Sequence, residues 1–145
     1  MQKIDKEMKA AQHLLYVSLK YTKTCDVILN LIHRWEHMIE FSLDNMLEKA
    51  KKRKMLKEIP VAPKPKIDLA LDVFKKEEVV RDTIELYSFF RKINSYKQFR
   101  EHEFRKNVAL RVMADEKEIV IDMEKLKEWQ ALLENFIKFV RVFIA

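Results

Sequence analysis

"DVILNLIHRWEHMIEFSLDNMLEKAKKRK" (26–54) decides the architecture. Ile28, Leu31, Ile32, Trp35, Met38, Ile39, Ser42 and Met46 recur at spacings of three and four, which places them on one stripe of an α-helix. The helix is about 30 residues long, or roughly 45 Å at 1.5 Å per residue, enough to form the spine of a helical domain. "KYTKTCD" (20–26) precedes it and offers Thr22, Thr24 and Asp26 as caps for a tight turn.

The same stretch contains His33, Glu36 and His37, an H-x-x-E-H that matches the inverted zinc-protease signature. The two histidines are four residues apart and can reach one ion, but a catalytic zinc needs a third protein ligand and an open position. The other histidines are only His13 and His102. A di-metal helical site needs Glu-x-x-His pairs, and here the order is reversed, His33 to Glu36 and His37 to Glu40. Asp26, Asn30, His33, His37, Glu40 and Asp44 form a continuous polar strip about 140° round the helix from the apolar stripe. This pattern reads as a solvated face, or one partly covered by a neighbour, and no metal or cofactor is expected.

Upstream, a first helix is predicted from about Lys3 to Lys20, with Ile4, Met8, Ala11, Leu15 and Ser18/Leu19 on one face. Downstream, "EIPVAPKPK" (58–66) holds all three prolines and predicts an extended internal loop over 57–66. Helical pattern resumes in "IDLALDVF" (67–74) and "EEVVRDTIELYSFFRKINSYKQF" (77–99). "NVALRVM" (107–113) and "EIVID" (118–122) are rich in β-branched residues around "ADEK", which predicts a hairpin over 107–122. Asp122 then caps a final helix whose stripe is Leu126, Trp129, Leu133, Phe136, Val140 and Phe143, thickened by Leu132, Ile137 and Ile144. The expected fold is a single mainly α domain over 1–145: an antiparallel four- to five-helix bundle with a short β-hairpin before the C-terminal helix. Phe139 lies off the stripe of that helix and needs separate cover, which leads to the expectation of a homodimer.

Composition removes several chemistries. The 145 residues include no glycine, which excludes glycine-rich phosphate loops, dinucleotide fingerprints and nucleophile elbows. Cys25 is the only cysteine, so no internal disulfide can form and a reducing, cytoplasmic setting is expected. "MQKIDKEMKA" (1–10) lacks the apolar core of a signal peptide, and no apolar run approaches membrane-spanning length, so no membrane association is expected.

The net charge of +6 is unevenly placed. Residues 49–66 carry eight cations and one acid, and 91–111 carry seven cations and two acids, so these segments hold +7 and +5 and the rest of the chain −6. Such asymmetry is the footprint of a surface that meets a polyanion. Lys51, Lys52, Arg53, Lys54, Arg91, Lys97, Arg100, Arg105 and Lys106 are the expected phosphate contacts, with Phe90, Tyr96, Phe99 and Phe104 interleaved as stacking candidates. An acidic protein could meet the same cations. The apolar and helix-terminal positions among these residues are equally suited to core packing and to solvation of a helix end.

"AAQHLLYVSLKYTKTCDVI" (10–28), the long second helix, the proline-bearing loop and "EFRKNVALRV" (103–112) before a hairpin and last helix together resemble small archaeal proteins of the HEPN-like helical class. The resemblance implies an antiparallel, usually dimeric bundle, often partnered by a nucleotidyltransferase in toxin–antitoxin-like pairs, and in many members an RNase. Catalysis there uses an arginine, a polar residue and a histidine four to six residues beyond. Arg105 is followed by Lys106 and Asn107 with no later histidine, Arg91 precedes His102 by eleven residues, and Arg34 precedes His37 by three. Arg100, Arg105 and Asn107 would occupy the corresponding region without completing the pair. The expectation is a binding module for RNA or a protein partner, with a divergent RNase as the catalytic alternative.

Overall fold

Thr24 starts the long helix. In the computed structural model, which describes residues 1–145, its backbone is extended and its Oγ1 accepts a hydrogen bond from the Val27 N–H at 3.4 Å. Five helices account for most of the chain, 68% of which is helical. Helix α1 (Gln2–His13) runs through a π-helical turn (Leu14–Ser18) into Leu19–Tyr21. The wider turn pushes Tyr16 and Val17 outward while Leu15 and Leu19 stay buried. Helix α2 (Cys25–Lys52) buries every residue of the stripe that the sequence marks. It packs against α1, α4 (Glu78–Lys92) and α5 (Met123–Ile144).

The end of α2 shows how a chain without glycine stops a helix. Lys54 N–H bonds to Lys51 O at 3.0 Å, Met55 N–H bonds to Ala50 O at 2.9 Å, and Lys54 sits at φ 61°. This is the Schellman arrangement, with lysine in the left-handed position that glycine normally takes. His102, Phe104 and Asp115 are the other residues at positive φ. Asp115 belongs to the two-residue turn Asp115–Glu116, where only the first residue is left-handed, as in a type II′ hairpin.

Two predicted boundaries are corrected. Helix α3 (Pro63–Val73) begins inside the segment expected to be an extended loop. Proline is tolerated in the first turn of a helix, where its missing N–H would have no partner, so Pro63 and Pro65 start the helix instead of preventing it. The segment 77–99 is not one helix. It stops at Lys92, makes a 3₁₀ turn (Ile93–Ser95) and becomes strand β1 (Lys97–Glu101). The turn is held by burial of Ile93, by Gln98 Nε2 donating to Ile93 O at 2.9 Å, and by Tyr96 stacking on Phe89 at 6.2 Å.

The expected hairpin therefore has a third strand. β1 pairs with β2 (Ala109–Ala114) and β2 with β3 (Lys117–Ile121), all antiparallel, in the order β1-β2-β3. Leu110, Val112 and Ile121 face the core and are buried. Asp122 caps α5 as predicted, its Oδ1 accepting from Lys125 N–H at 2.8 Å.

One connected core of 34 buried residues joins the helices to the inner face of the sheet. Trp35 lies at its centre, fully buried, stacked at 6.1 Å on Phe90 and edge-on at 6.4 Å to Trp129. Its indole N–H donates to Gln130 Oε1 at 3.2 Å, so burial leaves no polar atom of the ring unpaired. Phe139 finds its cover within the chain: Phe74, just after α3, meets it edge-on at 6.1 Å. No helix is long and apolar enough to cross a membrane.

Candidate functional site

Because α2 is straight-through helix from residue 25 to 52, it separates the expected phosphate contacts. Lys51, Lys52, Arg53 and Lys54 lie at its C-terminal end. Arg100 lies at its N-terminal end, where a guanidinium nitrogen is 2.7 Å from Asp26 Oδ1. The two groups are about 40 Å apart along the helix. Lys97 is on β1, and Arg105 and Lys106 are in the β1–β2 connection, so they belong to the Arg100 end. Arg91, on the last turn of α4, lies between the ends, over the Tyr87 ring at 5.9 Å. The nine residues thus form no single surface.

The two ends differ in chemistry. At the N-terminal end Arg100 and Arg111 are already paired, whereas Lys97, Arg105 and Lys106 are exposed and make no ion pair. Arg100 holds Asp26 at 2.7 Å and Glu103 at 3.5 Å, and Arg111 Nε holds Glu101 at 2.6 Å and Glu118 at 3.0 Å. The hydrogen bond and charge of Arg100 pull the Asp26 carboxyl below its usual pKa, and Asp26 in turn raises that of Arg100. The Cys25 thiol is buried and donates to Ala109 O at 3.3 Å; burial, and then the Glu103 charge, push its pKa up, which keeps it a protonated, unreactive packing group. Phe104 is 74% exposed, and its N–H bonds to Lys23 O at 2.6 Å. Tyr21, at the end of the short helical segment Leu19–Tyr21, is 77% exposed. Exposed aromatic surface beside paired arginines distinguishes this end.

At the C-terminal end, Lys51, Lys52, Arg53 and Lys54 are all exposed and none makes an ion pair. Arg53 lies over the Phe143 ring at 4.7 Å, which orients its guanidinium beside the end of α5. Exposed Lys57 continues the cluster past the helix. The negative end of the helix dipole lies under these charges.

The polar strip of α2 is only partly in water. His33 Nδ1 is 3.7 Å from Glu36 Oε1, and no third His, Cys, Asp or Glu side chain joins them in a group able to hold a metal ion. Burial, and then the charge of Glu40, raise the pKa of Glu36, while His33 and His37 oppose the shift. Tyr87, from α4, covers the strip and donates its hydroxyl to Glu40 Oε1 at 3.1 Å; burial and the Glu40 charge push the phenol above its usual pKa. Beside it, Asp44 pairs with Lys66 at 2.9 Å across a groove of about 340 Å³. Arg91, which also lines the groove, makes no ion pair.

His102 and Arg105 lie in one turn, with Arg105 N–H bonded to His102 O at 3.1 Å. The histidine precedes the arginine, the reverse of the order the HEPN-like resemblance implies. The sequence gives no sign of the pairing of Arg100 with Asp26, because 74 residues separate them. Lys57 could have been found from its place in the run that begins at Lys49. No protein-family model, no curated protein and no solved structure matches the chain.

Proposed function

We propose that this chain is a non-catalytic binding module, HEPN-like in its order of elements, that contacts RNA through the basic C-terminal end of α2. One observation carries the reading: four consecutive cations, Lys51, Lys52, Arg53 and Lys54, are exposed and free of carboxylate partners. Unpaired cations attract counterions that a phosphate backbone can displace, and counterion release is the main source of sequence-independent nucleic-acid affinity. Arg100 and Arg111, being paired already, gain less from phosphate.

Filter retention of single-stranded RNA at several salt concentrations tests this. The slope of log affinity against log salt should flatten by about 0.7 for each lost contact, hence by about 2 when Lys51, Lys52 and Lys54 are all replaced by alanine. Arg100→Glu with Arg105→Glu should change the slope less. An unaltered slope in the triple variant overturns the assignment.

A second reading is a protein-interaction partner, such as the helical half of a nucleotidyltransferase pair. Tyr16 and Val17 in the π-helical turn and Tyr21 after it support it, since they expose apolar surface, as does Phe104. Binding of this kind would be stoichiometric and weakly salt-dependent, and it would be lost in Tyr21→Ala and retained in the triple lysine variant.

A further inference from the structure

Strand β1 is hydrogen-bonded on one side only. It is the edge of the sheet in the order β1-β2-β3, and no element other than β2 packs extensively along it. The opposite edge differs, because α5 packs against β3. An open edge offers a row of unpaired N–H and C=O groups to another strand, and charge on the edge usually discourages that. The charges on β1 have a specific pattern. "KQFRE" (97–101) has a cation at one end, an acid at the other and Phe99 at its centre.

Consider two copies of β1 paired antiparallel about a twofold axis at Phe99. Lys97 of each copy then faces Glu101 of the other, Gln98 faces Arg100, and Phe99 faces Phe99. A twofold interface is made from one self-complementary patch, so each favourable pair occurs twice. Lys97, Phe99 and Glu101 share the outer face of the sheet, since alternate residues point the same way. On that face Lys97 Nζ lies over the Phe99 ring at 5.3 Å, Phe99 is 42% exposed, and Glu101 is already turned toward Arg111. Lys97 has no ion pair within the chain, so a second copy's Glu101 would be its first carboxylate partner. Directly opposed unlike charges and paired aromatics are the side-chain contacts that stabilise antiparallel strands.

We propose that the β1 edge is a self-association surface whose partner is a second copy of this chain, joined edge to edge into a continuous six-stranded antiparallel sheet. The proposal is independent of RNA contact, because the Lys51–Lys54 cluster lies at the other end of α2. The dimer would carry two basic ends, each at the far end of its α2 from the junction where Phe99 meets Phe99. A five-residue strand pair is a small interface, which places the association in the weak, micromolar range.

Sedimentation equilibrium from ten to several hundred micromolar tests it, with hydrogen exchange read on residues 97–101. The expected result is a reversible dimer whose β1 amides become protected as concentration rises. Lys97→Glu should abolish the dimer by setting two carboxylates opposite each other, while circular dichroism stays unchanged because Lys97 supports no intramolecular ion pair. Phe99→Lys, which places two cations on the axis, should do the same, and Phe99→Ala, which removes the paired aromatics without setting a new charge opposite Arg111, should weaken the dimer. Combining Lys97→Glu with Glu101→Lys should restore association, since the opposed pairs regain unlike charge. A wild-type monomer throughout the range, or a dimer indifferent to both Lys97→Glu and Phe99→Lys, overturns the proposal.

Discussion

The two ends of α2 are built from the same kind of residue and behave differently. At the Asp26 end, Arg100 and Arg111 meet four carboxylates between them. At the Lys52 end, four consecutive cations meet none. The difference comes from what folds back onto each end. The sheet and its β1–β2 connection bring Glu101, Glu103 and Glu118 to the first, whereas the second is followed by "MLKEIPVAPKPK" (55–66), whose only acid is Glu58. A count of cations along the chain therefore overstates the basic surface where the fold supplies carboxylates, as it does at Arg100 and Arg111. Charge density in sequence predicts binding only where the fold supplies no counter-charge.

The sharpest way to break this comparison is to weaken the rod between the two ends. Trp35 is fully buried at the middle of α2, and its indole N–H is the partner of buried Gln130 Oε1. Trp35→Ala should cost about 3–5 kcal/mol through the cavity and the lost hydrogen bond. Chemical denaturation followed by far-ultraviolet circular dichroism measures this. If the two ends belong to one cooperative unit, hydrogen exchange should accelerate equally in β2 and in the last turns of α2. Acceleration confined to one end would show that they fold separately.

The second test sharpens the comparison at the basic end. Lys54 occupies the left-handed C′ position of a Schellman motif at φ 61°. A side chain there costs free energy that glycine avoids, and glycine's greater freedom in the unfolded chain gives back part of the gain. Lys54→Gly should raise stability by about 0.5–1 kcal/mol, read as an increase in Tm. In the same protein RNA retention should fall by one phosphate contact, so stability and binding move in opposite directions. A loss of stability would mean that the Lys54 side chain supports the fold.

Sequence periodicity located what depends on burial alone. The stripes of α1, α2 and α5, the caps Thr24 and Asp122, and the hairpin over 107–122 follow from local pattern, because each is satisfied within a few residues or by one apolar face. The misplaced elements depended on distant partners. β1 reads as helix because Phe89, Phe90, Ile93 and Tyr96 keep a three-four spacing up to its start, and only pairing with β2 converts Lys97–Glu101 to strand. The start of α3 was hidden by prolines that forbid a helix interior but suit its first turn. In the candidate site, the run Lys51–Lys54 was legible as exposed charge. The neutralisation of Arg100 was not, because it takes two closed loops to bring Asp26 beside it.

The smallest expected effect tests the paired end itself. Asp26 is in the first turn of α2, where both Arg100 and the positive end of the helix dipole favour its ionised form. Its folded-state pKa lies below the ordinary value, so the carboxylate's contribution to stability is fully present above the unfolded pKa near 3.8 and is lost as pH falls through the lower folded value. Asp26→Asn should therefore lower Tm slightly and by a constant amount from pH 7 down to about pH 5, with the difference closing toward zero below pH 4. Both groups are exposed, so about 1 M salt should shrink the difference further. A double-mutant cycle with Arg100→Gln separates the ion pair from the helix dipole. The coupling between the two substitutions should follow salt and pH, while the part that survives in the Arg100→Gln background belongs to the helix terminus. Lys51→Ala and Lys52→Ala, at the opposite end, should show neither coupling nor loss of stability. Equal stability losses at both ends would mean that the unpaired cluster has a structural partner of its own, and the contrast between the two ends would not stand.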